Sequence, residues 1–79
     1  MAKTFNRSRF AAALRARRGD LSIRTAADEA GIAFGVLHDA ERGHTEPSVG
    51  TLGKLCMWMD RDIWDFFDDE PAVVPVLID

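Results

Sequence analysis

Tyrosine is absent from these 79 residues, cysteine occurs once and proline three times. No apolar run approaches the roughly 18 to 20 residues that a membrane-crossing helix needs. The lone Cys56 excludes an internal disulfide and a thiolate zinc cluster, and its place in the run LCMWM reads as a buried, inert thiol. The first ten residues, MAKTFNRSRF, lack the apolar stretch of a secretory signal, so the expected location is cytoplasmic, with no membrane partner. Repeats, low-complexity tracts and alternating strand patterns are also missing.

Catalytic signatures are lacking too. No nucleophile stands with its base, and there is no P-loop or dinucleotide fingerprint, so neither an enzyme nor a cofactor is expected. His38 and His44 have no third ligand at a metal-binding spacing. The acids Asp60, Asp62, Asp65, Asp68, Asp69 and Glu70 lack the glycine and spacing of a calcium loop and read as a solvated face. No metal site is expected.

What is present suffices for one small domain. Hydrophobic residues make up 47% and charged residues 29% of the chain, ordinary values for a folded protein. The net charge of −3 argues at first against nucleic acid, but its distribution is lopsided. Seven cations (Lys3, Arg7, Arg9, Arg15, Arg17, Arg18, Arg24) lie in the first 24 residues with Asp20 the only acid, so that segment carries +6 and the remainder −9. Such asymmetry suggests one face for an anionic partner and an acidic region turned away from it.

Helical spacing organises the chain. Phe10, Ala11, Ala13 and Leu14 mark a first helix over Arg7 to Arg18, with Arg15, Arg17 and Arg18 in its last turn before Gly19. Ser22 caps a short alanine-rich second helix that stops at Gly31. Ile32 follows, then a third helix from Ala33 to Arg42 with apolar Val36, Leu37 and Ala40, ended by Gly43. Ser48 caps a fourth helix carrying Leu52, Leu55, Cys56 and Met59, and Asp62 a short fifth with Ile63, Phe66 and Phe67. The expected organisation is all-α, with five helices in a domain over 1–67 and an apolar tail over 68–79. Pro71 and Pro75 bar a helix in that tail, which is expected to be an extended arm for dimerisation.

The informative unit runs from Ser22 to Gly43. Small Ala26, Ala27 and Ala30 let two helices cross closely, and Gly31-Ile32 bends the chain and inserts an aliphatic plug. With Leu14 to Gly19, Leu21-Ser22, Ala27 to Ile32, Leu37, Glu41-Arg42-Gly43, Pro47-Ser48 and Leu52 to Met59, the chain resembles the lambda-repressor-like helix-turn-helix family of Cro proteins, phage repressors and many antitoxins. The resemblance covers about Phe10 to Phe67. It implies a five-helix fold of that type and a structural pair between Arg15 and Glu41. It also implies phosphate contacts from Ser22, Arg24, Arg42, His44 and Thr45, and base reading by the exposed positions of helix 33–42. Those positions hold Ala33, Phe34, Gly35, His38 and Asp39, with none of the Arg, Lys, Gln or Asn side chains that usually read bases in pairs of bonds. Ile23 stands where the family often has glutamine.

Trp58 and Trp64, with Met57, either line a dimer interface or complete a small core, and the apolar Val73, Val74 and Val76 of the tail extend the first alternative. The leading expectation is a homodimeric regulator of the Cro or repressor type that binds double-stranded operator DNA through helix 33–42. The rival is a protein-interaction module, such as an antirepressor or antitoxin subunit, favoured by net acidity and the unusual reading face.

Overall fold

The computed structural model describes residues 3–69 of the chain. Within them lie strand β1 (Lys3–Phe5), helices α1 (Arg7–Arg18), α2 (Ile23–Ala30), α3 (Phe34–Arg42) and α4 (Val49–Met59), a 3₁₀ turn (Ile63–Phe66) and strand β2 (Phe67–Asp69). The fold is an all-α helix-turn-helix domain with one short strand pair.

Helices α1, α2 and α4 begin on a side-chain cap, and α2 and α4 end on a left-handed residue. Asn6 Oδ1 accepts from the Arg9 amide at 2.9 Å, Ser22 Oγ from the Thr25 amide at 3.1 Å, and Ser48 Oγ from the Thr51 amide at 3.3 Å. These bonds occupy amides that have no partner inside the helix. At the end of α2, the Ile32 amide donates to the Ala27 carbonyl at 3.0 Å and the Gly31 amide to Asp28 at 3.2 Å, with Gly31 left-handed at φ 78°. Helix α4 ends in the same two-bond pattern on a residue other than glycine: Asp60 stands at φ 57° and the Arg61 amide reaches the Cys56 carbonyl at 3.0 Å.

One stripe of every helix faces a common core, whose fully buried large side chains are Phe10, Leu14, Leu37, Leu55 and Phe66. Helix α3 packs on α1 and α2, while α4 closes against α2 and α1. Ala26, Ala27 and Ala30 keep α2 thin enough for that approach.

Two sequence expectations are corrected. The fifth helix is only a 3₁₀ turn, because four residues separate Asp62, whose Oδ1 accepts from the Trp64 amide at 3.0 Å, from a strand that claims Phe67. A strand pair, not expected at all, joins the two ends antiparallel, with Lys3 opposite Asp69, Thr4 opposite Asp68 and Phe5 opposite Phe67. So short a pair holds by packing rather than by its ladder. Phe5 lies 5.3 Å from Phe67 and 5.2 Å from Phe10, and Phe10 meets Phe66 edge-on at 5.0 Å. Asp68 and Asp69 therefore belong to this pair rather than to the expected tail over 68–79. The rest of that tail, with Val73, Val74 and Val76, lies outside the described residues.

Candidate nucleic-acid interface

The junction of α1 and α3 sets the position of α3. Glu41, 6% exposed, receives Arg18 through two parallel bonds, Nε to Oε2 at 2.7 Å and Nη2 to Oε1 at 2.9 Å. Arg18 Nη1 also donates to the Leu21 carbonyl at 2.9 Å, so one side chain ties together α1, the loop after it and the end of α3. The hydrogen bonds that Arg18 donates to Glu41 hold its guanidinium pKa above the ordinary range. The expected pairing of Arg15 with Glu41 is corrected: Arg15 donates to the Glu41 backbone carbonyl, and Arg18 takes the carboxylate. Both arginines lie in the last turn of α1, three residues apart on adjoining faces, which is why spacing could not separate them.

With Leu37, Ala40 and Glu41 turned inward, α3 presents its opposite side. Ala33, Phe34, Gly35 and Asp39 are exposed and His38 is half-buried. Ala33 precedes the helix without a side-chain cap, and Val36, expected among the apolar inward residues, is 39% exposed. The Phe34 ring lies nearly parallel to that of His38, with centroids 6.3 Å apart, and His38 Nδ1 is 3.8 Å from Asp39 Oδ1.

Around this face stand the residues that the resemblance assigns to phosphates. Arg42, His44 and Thr45 are exposed, and the His44 carbonyl accepts from Arg7 Nη1 at 3.2 Å. Ser22 is exposed, but its hydroxyl is engaged with both the amide and the hydroxyl of Thr25. Arg24 is exposed, and its guanidinium lies 4.9 Å above the Phe34 ring, beside the expected readers. No local pattern in the sequence signals that contact, because it joins the starts of two separate helices.

The lopsided charge acquires a different meaning in three dimensions. Lys3 pairs with Asp69 at 2.8 Å, Arg9 with Asp68 at 2.6 Å and Arg61 with Asp65 at 3.1 Å, in addition to Arg18 with Glu41. Arg7, Arg15 and Arg17 donate to backbone carbonyls. Much of the basic segment thus holds the fold together and neutralises acids. Among the described residues, Arg24 and Arg42 are the arginines whose side-chain N–H groups have no oxygen partner; Arg24 lies beside the start of α3 and Arg42 is its last residue.

The residues offered for a dimer interface separate as well. Met57 is 83% exposed and Trp64 62%, the latter resting on Phe67 at 5.2 Å. Trp58 is half-buried against the core, donates Nε1 to Glu29 at 3.1 Å and carries Arg17 over its ring at 4.6 Å.

The family model described as helix-turn-helix matches residues 12–57, from within α1 to near the end of α4. No curated protein and no solved structure shows a significant match to the chain.

Proposed function

The chain belongs to the helix-turn-helix family, of the lambda-repressor and Cro kind, and from that premise we propose that it represses transcription by binding operator DNA as a homodimer, with α3 in successive major grooves. Members of this family are DNA-binding regulators rather than enzymes. The observation that supports α3 as the element inserted is its posture. One side is locked by Leu37, Ala40 and the Arg18 pair, while its first three residues stand clear of the core between the two arginines with unoccupied donors. In this reading Arg42, His44, Thr45 and Ser22 meet phosphates. Ala33, Phe34, Gly35, His38 and Asp39 face base edges, where apolar contact suits thymine methyls and Asp39 suits the cytosine amino group. Exposed Met57 and Trp64 supply apolar surface for the partner subunit. Two half-sites would then lie one helical turn, about 34 Å, apart.

The test is fluorescence polarisation on the DNA flanking the protein's own gene, with a salt titration. Binding to one flanking duplex over a scrambled one is expected. Arg42→Ala should weaken binding to all sequences alike and flatten the salt dependence by about one counterion. A parent protein with no preference even at low salt defeats the proposal. The rival protein-binding reading would then take over, on the strength of the apolar exposure of Phe34, Val36 and Val49.

A further inference from the structure

Resting on that reading, we propose that Arg24 is a specificity-determining residue: seated on the Phe34 ring, it reads a guanine in the major groove through paired hydrogen bonds to N7 and O6. Arg24 is the second residue of α2 and Phe34 the first of α3, so the contact joins the starts of the two helices of the motif. The guanidinium centre lies 4.9 Å from the ring centroid, and the ring is braced on its own helix by His38. A guanidinium held over a ring is localised before DNA arrives, and its side-chain N–H donors have no oxygen partner among the described residues.

Three further observations point the same way. Asp28 lies one turn along α2, at the spacing of an intrahelical ion pair, yet no carboxylate pairs with Arg24 among the described residues. Of the exposed positions of α3, only its last residue, Arg42, carries a side chain able to make the paired bonds by which guanine is usually read, so at the start of α3 that donor must come from a neighbouring element. Arg42, the other arginine with free donors, sits at the far end of α3 without an aromatic platform. Lysine can meet a phosphate as a point charge, whereas two-bond recognition of a guanine edge needs the guanidinium fork.

The experiment is selection from a randomised duplex pool by the full-length parent, R24K, R24A, F34A and the R24A/F34A double variant, each checked for parental helicity by circular dichroism. The parent should select a G·C pair at one position in each half-site. R24A and R24K should both lose that preference, by about 5- to 150-fold, with the other positions unchanged. F34A should lose the same position, and the double variant no more than either single one. Uniform weakening by R24A with recovery in R24K would make Arg24 a phosphate contact and overturn this inference while leaving operator binding intact. Unchanged preferences in R24A, or full retention of the G·C position by F34A, would overturn it equally. A parent that selects nothing would overturn both proposals.

Discussion

Glu41 is the buried acid of the core, and its two bonds from Arg18 make its burial tolerable. Removing one partner of such a pair costs more than replacing both, because the survivor keeps its charge in a place with little water. Glu41→Ala and Arg18→Ala are therefore expected to lower the melting temperature by roughly 5–10 °C. Arg15→Ala removes only a donor to a carbonyl and should cost less than either. Thermal melts followed at 222 nm order the three variants, and a larger effect of Arg15→Ala would reverse the assignment. Cys56 behaves differently, because burial, with Asp62 and Asp65 nearby, pushes its thiol pKa up and leaves little thiolate to react.

The elements depend on their terminating residues. Gly31 and Asp60 both adopt left-handed backbone, but only Gly31 does so without a Cβ. A Cβ at Gly31 would meet nothing within 4 Å, so any loss in Gly31→Ala reports backbone conformation rather than crowding. About 1–2 kcal/mol of destabilisation is expected. Asp60→Gly relieves the corresponding penalty at the end of α4 and should raise stability by up to about 1 kcal/mol, or a few degrees in the melt. Chemical denaturation of the pair checks both signs. A neutral Gly31→Ala would mean that this turn does not need φ 78°.

In the whole molecule, the strand pair joins the two ends of the described residues over the aromatic cluster. Asp68 sits at that closure, holding Arg9 at 2.6 Å and Asn6 Nδ2 at 3.0 Å. These bonds depress its carboxyl pKa below the ordinary value of 3.8, the Arg9 bond being the larger cause. A carboxylate whose pKa is lowered by folding contributes stability that is present above the ordinary value and is lost as pH falls through the folded one. Protection of the amides of Lys3–Phe5 and Phe67–Asp69 against exchange, taken relative to the intrinsic rate at each pH, should therefore fall below about pH 4, modestly because the groups are exposed. In Asp68→Asn, exchange should already be faster at neutral pH, and the acid step should shrink. An acid step of full size in that variant would place the titrating group elsewhere. Light scattering belongs to the same scale, since the proposed interface predicts a dimer mass that Met57→Glu with Trp64→Glu reduces to a monomer.

Local sequence alone determined the four α-helices, since caps at Asn6, Ser22 and Ser48, stops at Gly31 and Gly43, and repeats every three or four residues act within a single helix. Apolar spacing alone places the start of α1, and its Asn6 cap becomes visible only in the structure. The helix-turn-helix unit and the inward face of α3 were legible for the same reason. Only tertiary structure decided which arginine takes Glu41, that Phe5 and Phe67 pair as strands, that the terminal acids are held by Lys3 and Arg9, and that Arg24 rests on Phe34. Each of these joins residues from separate elements, and a contact made only when helices pack leaves no periodic trace in either segment that forms it.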